Sequence, residues 1–205
     1  HMQGIDYLHF IVPGIILMTV IMQSYANTVS SFFMTKYNHS FEELLVSPIP
    51  NWVILLGFVS GGVVRGLCVG LAVTFAISFF VKLSIYSYSI LALSFLLTSV
   101  MFALAGFINA IFAKSFDDIS IVPTFVLLPL TYLGGMFYSI DILPSFWRSL
   151  SAFNPIYYMM DGFRLGMLGV GSTDLYLAFI VPLLMIVMLV AVALYLLKKG
   201  VNTKT

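Results

Sequence analysis

Long unbroken apolar runs alternate along the chain with short polar breaks. A membrane-spanning helix needs about 20 mostly apolar residues, and five runs qualify, at about 10–33, 52–81, 90–113, 121–138 and 175–197. The polar breaks fall at 36–50, at 82–89 and at Lys114-Ser-Phe-Asp-Asp118. The runs are continuous, whereas barrel strands alternate apolar and polar positions over segments of about 10 residues. Lipid also requires every backbone group to be satisfied within its own structure. The pattern therefore predicts an all-α integral membrane protein with five transmembrane helices in a single domain over 1–205. Residues 139–174 differ. They are amphipathic and aromatic, broken by Pro144 and Pro155, and hold no uninterrupted span. They read as short helices lying at, or dipping re-entrantly into, one membrane interface, a level that suits Trp147, Tyr157 and Tyr158.

Composition supports lipid as the solvent. Hydrophobic residues make up 61% of the chain and charged residues 8%, with a mean hydropathy of +1.08. A soluble domain carries about 25% charged residues. Net charge is +1 and no basic block is longer than Lys198-Lys199, which excludes a nucleic-acid partner, since such proteins gather Lys and Arg on one face. Cys68, the only cysteine, reads as buried apolar filler. No basic region precedes the first apolar run, so no signal peptide is expected in these residues. His9 and His39 lack a second ligand at metal spacing. Loops on the cytoplasmic side are enriched in Lys and Arg. Lys36, Lys114, Lys198, Lys199 and Lys204 on one side, against Lys82, Arg148 and Arg164 on the other, place the C-terminus in the cytoplasm.

Several polar positions are candidates for function. Ser40 with Glu43 has the spacing of a capping box, and Pro48 and Pro50 end the helix that it starts. The result is a short acidic helix at about 40–47, either an amphipathic connector or a projection toward a partner. Arg65 lies within the second span, where an unpaired charge is costly. It snorkels, faces a water-filled cavity, or pairs with Asp117 or Asp118. Thr19, Gln23, Asn27 and Ser31 recur every four residues in the first span. Such a stripe must face protein or water, lining a path or bonding between helices. Gly62, Gly66 and Gly70 have the spacing of close helix packing, extended by Gly57 and Gly61 on a nearby face. Asp117 and Asp118 precede a helix and read as caps. Asp161 and Arg164, one turn apart, read as a local ion pair.

Phe10-Ile-Val-Pro-Gly14 and Phe41-Glu-Glu-Leu-Leu-Val-Ser-Pro48 resemble the second span and coupling helix of ABC-2 type permeases. Phe116-Asp-Asp-Ile-Ser120 and Val122-Pro-Thr-Phe125 resemble that family's entry to its fifth span. The strongest match runs from Tyr132-Leu-Gly-Gly-Met-Phe-Tyr138 through Leu143-Pro144 and Asn154-Pro-Ile-Tyr-Tyr158 to Gly162-Phe-Arg164, with the spacing of the family's signature. The resemblance covers essentially the whole chain and lies nearest the bacterial drug, lipid and polysaccharide export branch. Members have six spans, so the resemblance implies a first span, opened by an amphipathic cytoplasmic helix, before His1.

The resemblance further implies a homodimeric pore in the bacterial inner membrane, with each copy gripped by one subunit of a separate ATPase pair. Ser40, Phe41, Glu42, Glu43, Leu44 and Leu45 would dock on the ATPase. Thr19, Gln23, Asn27, Ser31 and Arg65 are candidates for the path. Leu143, Pro144, Asn154, Pro155, Tyr158 and Arg164 form the outer-face signature. ATP and Mg would belong to the partner, because no G-x-x-x-x-G-K-[ST] phosphate loop is present; Gly61-Gly-Val-Val-Arg-Gly66 lacks the required ending. A secondary transporter or channel working without an ATPase is the alternative. The sequence also lacks the nucleophile–base pair or the clustered His, Asp and Glu that a membrane enzyme needs.

Overall fold

A computed structural model describes residues 7–38, 40–41, 48–83, 85–138, 144–171 and 174–200. The described residues form helices and no strand. Among the described residues, five helices are long and apolar enough to cross a membrane: α1 (Tyr7–Tyr37), α2 (Asn51–Ser78), α3 (Tyr88–Phe112), α4 (Phe116–Leu133) and α7 (Leu175–Lys199). Between the last two lie α5 (Ser145–Ala152) and α6 (Pro155–Leu168).

Helices α1 and α3 form the centre of the bundle. Half of the most apolar stretch of α1 and 61% of that of α3 are buried, against 17% in α7 and 11% in α4. Their contact is close because Gly106 of α3 faces the α1 backbone, where an added Cβ would stand 2.6 Å from the Tyr25 carbonyl oxygen. Gly62, Gly66 and Gly70 of α2 rest on Thr28, Ser24 and Val20 of α1 and also meet Ala103, Ser99 and Phe95 of α3. The glycines and their α1 neighbours recur every four residues, so two stripes meet along their length, as small residues allow in lipid. Gly57 takes no part, having nothing within 4 Å of an added Cβ. Gly66→Val would overfill this seam and should cost about 1–3 kcal/mol. Thermal unfolding in detergent checks this, and a midpoint equal to the parent's would show that the seam is loose.

Cys68 departs from its expected place, being exposed on α2. It lies two residues, about 200°, beyond Gly66, and Gly66 is on the packed face. The fourth spanning helix begins earlier than the apolar pattern suggests, at Phe116. Ser115 caps it by accepting from Asp118 N while the Asp118 carboxylate accepts from Ser115 N and Lys114 N. This capping box fits the acidic caps expected there, and Ser115-x-x-Asp118 is a spacing that marks helix starts. Inside α4, Pro123–Leu127 forms a π-turn in which Leu128 N donates to Pro123 O. Prolines at 123 and 129 lack N–H donors, and the ladder widens between them. The helix ends at Leu133, short of the expected 138, because the chain turns through Gly134 and Gly135, the latter at φ 74°.

Candidate functional site

The polar positions of the bundle fall into three groups: a cluster at mid-membrane, a clasp where α1 and α3 end, and a cap at the C-terminal end of α4. The mid-membrane cluster centres on Arg65, near the middle of α2. Its Nε donates to Gln23 Oε1 at 3.2 Å and its Nη1 to Asn27 Oδ1 at 3.4 Å. Gln23 and Asn27 are two of the four stripe residues on α1. Thr19 instead donates to the Ile15 carbonyl of its own helix, and Ser31 is exposed one turn beyond Asn27. Arg65 also lines a cavity of about 420 Å³ between α1, α2 and α4, together with Ser30, Ser120, Pro123 and Thr124. Arg65 was expected to snorkel, to face a water-filled cavity or to pair with Asp117 or Asp118, and it is found lining a cavity. Asp118 is engaged as a helix cap.

At the other end of α1, Lys36 is buried and its Nζ donates to the carbonyls of Ile111 at 2.9 Å and Ala113 at 3.0 Å. It thereby caps the C-terminus of α3, where cations complement the helix dipole. As part of a polar break it reads as a loop cation; the sequence offers no sign that it reaches back into the bundle. Ser40 and Phe41 are helical, and the Phe41 ring is buried 4.8 Å from Phe32. Phe32 in turn meets Phe58 of α2 at 5.1 Å and Phe107 of α3 at 4.5 Å. Phe41 is therefore an anchor turned into the bundle, not part of an outward docking face. Glu42, Glu43, Leu44 and Leu45, and with Glu43 the capping box expected with Ser40, lie outside the described residues.

At the C-terminal end of α4, side chains of the signature add donors to the carbonyls of its last turn, where Leu130 O already accepts from Gly134 N, and of the glycine turn that follows. Asn154 Nδ2 donates to Leu130 O at 2.6 Å, while its Oδ1 caps α6 by accepting from Ile156 N. Pro155 follows at the first helical position, where its missing N–H is not needed. Arg164 Nη2 donates to Gly135 O at 2.5 Å and Met136 O at 3.1 Å, with the guanidinium carbon 3.9 Å above the Phe10 ring. Ser151 Oγ donates to Leu133 O at 2.9 Å, a contact that no motif announces. Pro144 precedes α5, and Tyr158 donates from its hydroxyl to Ala152 O at 2.8 Å, holding α5 to α6. Burial pushes the Arg164 guanidinium below its ordinary value, and the charge of Asp161, its expected partner, opposes that shift. Leu143 lies outside the described residues. Among the described residues, no three His, Cys, Asp or Glu side chains could hold a metal ion together.

The profile of the ABC-2 type transporter family matches residues 2–168. The chain belongs to this family. It is 52% identical over 199 residues to the inner membrane transport permease YadH of Escherichia coli strain K12, covering 97% of this chain and 78% of that protein. The Shigella flexneri protein of the same name matches to the same extent. Nodulation protein J of Rhizobium leguminosarum bv. viciae is 22% identical over 174 residues, covering 82% of this chain and 65% of that protein. The chain is a transmembrane ABC-2 permease, and the close relative is by name an inner membrane protein.

Proposed function

We propose that this permease forms, with a second copy, the translocation path of an ATP-binding cassette exporter driven by a separate ATPase pair. The observation that carries the reading is Arg65 at mid-membrane, bonded to Gln23 and Asn27 and opening on a cavity rather than packed in the core. A charge at that depth is costly unless water or a partner reaches it, and a path between two copies supplies both. Apart from Arg65 the cavity wall is neutral, which suits a drug, lipid or polysaccharide-type cargo more than a strongly charged one. The protein sits in the bacterial inner membrane, with its C-terminus on the cytoplasmic side.

The 40–47 segment docks on the ATPase in this reading. Phe41, seated against Phe32, carries its displacement into α1, α2 and α3, and Lys36 ties the end of α1 to the end of α3. The experiment is co-expression with candidate ATPases, followed by co-purification and ATP hydrolysis. The parent is expected to capture an ATPase and Glu42→Lys/Glu43→Lys to release it. Transport or conductance by the pure protein with no ATPase bound would overturn the proposal in favour of a secondary transporter or channel.

A further inference from the structure

An apolar groove of about 230 Å³ runs between α2, α3 and α7. Trp52, Leu55 and Val59 form one wall, Val100 and Leu104 the floor, and Leu194 the other wall. Only apolar residues line it. Four residues beyond Leu194, about 6 Å along the helix, stands Lys198 on nearly the same stripe of α7. Lys198, Lys199 and Tyr195 line a second cleft of about 370 Å³ at this end, with the Lys199 ammonium 5.8 Å from the Tyr195 ring. Both lysines are exposed.

We propose that this face holds one anionic diacyl phospholipid, with an acyl chain in the groove and its phosphate between Lys198 and Lys199. The order of chemistry along α7 is that of the lipid: hydrocarbon first, then cation. Lysine stems reach along apolar surface to place their charge at headgroup level. Trp52, half in the groove and half exposed, suits the same boundary. Basic pockets between transmembrane helices select anionic headgroups. The C-terminal end of α7 carries partial negative charge, so a phosphate stays only while the lysines outweigh it. On α2 the groove residues lie about a third of the way round from Arg65. The site is thus separate from the polar cavity, and a lipid there is a resident of the fold rather than cargo.

The test is native mass spectrometry of the purified, delipidated protein, given phosphatidylglycerol or phosphatidylcholine with the same acyl chains. Phosphatidylglycerol should be retained preferentially, by roughly fivefold for each lysine. Lys198→Gln/Lys199→Gln should erase the preference, and Lys82→Gln should keep it. Val100→Phe, which fills the groove, should lower retention of both lipids. Full retention by the double variant would overturn the site, as would an equal loss in Lys82→Gln. Displacement of the lipid by millimolar inorganic phosphate would show a phosphate site without an acyl chain and would also overturn it. A dimer that holds no lipid and that Val100→Phe dissociates would assign the groove to a second copy and would also overturn the site.

Discussion

Replacing Arg164 with alanine is expected to lower the thermal midpoint of the purified protein by roughly 6–12 °C. Arg164 is almost fully buried and holds Gly135 O and Met136 O while lying over Phe10. Hydrogen bonds to a charged group contribute about 1.5–3 kcal/mol each, whereas those between helices in lipid average about 0.6 kcal/mol. The first figure applies here, because these carbonyls sit at a chain turn. Without Arg164 they would be buried with no donor, and no unfolded-in-membrane helix satisfies them for free. Its lower limit for two bonds gives about 3 kcal/mol, or 2–4 °C for each kcal/mol in a chain of this length. Arg164→Lys should recover only part of this: one ammonium nitrogen can serve two carbonyls, as Nη2 does here, but it lacks the planar guanidinium that lies over the Phe10 ring. Differential scanning fluorimetry in detergent reads both variants. An alanine midpoint within a degree or two of the parent would mean that the two carbonyls find other donors.

The same contacts give the signature a physical meaning. α4 is the least buried spanning helix, so core packing does little to hold it. Its two ends are fixed instead by hydrogen bonds. The Ser115–Asp118 capping box starts it, while Asn154, Ser151 and Arg164 occupy the carbonyls that close it. Between these points the π-turn at Pro123–Leu127 interrupts the regular ladder, and Pro123 and Thr124 of that turn line the Arg65 cavity. The helix is thus held at both ends and irregular in the middle, where it borders the cavity. Arg164→Ala loosens one of those ends.

The spans were legible because lipid leaves one solution for each apolar run, and the glycine stripe was legible because close packing fixes a spacing of four. Helix ends were less so. α4 starts at Phe116 through a cap formed by side chains that hydropathy counts only as polar, and it stops at a glycine turn inside an apolar stretch. Gln23, Asn27 and Arg65 stood out as polar residues among apolar ones, but which of the stripe residues meet Arg65 depends on the rotation of α2 against α1. The reach of Lys36 and the inward turn of Phe41 were not legible. Lys36 meets carbonyls 75 and 77 positions away, Phe41 meets a ring of the preceding helix, and neither residue type by itself distinguishes a surface position from a buried one.

Arg65 invites the opposite expectation from Arg164. Insertion of arginine at the helix centre costs about 2.5–3.5 kcal/mol. Its two bonds, at 3.2 and 3.4 Å, are long and return about 0.6 kcal/mol each. The remaining deficit of roughly 1–2 kcal/mol disappears if water fills the cavity, so the cavity should be wet. Thiol chemistry tests this directly, because the reactive species is the thiolate and apolar surroundings suppress it. In a Cys68→Ser background, which removes the one native thiol, Arg65→Cys should react with a charged, water-soluble thiol reagent at least about tenfold faster than Leu184→Cys. Leu184 is a fair control, being exposed on the outside of α7 among apolar neighbours. Equal, slow reaction at both positions would mean a dry cavity, leaving Arg65 with only a structural role in joining α2 to α1. Fast reaction at the Arg65 position alone would place water at mid-membrane between α1, α2 and α4, which a translocation path requires and helix packing does not.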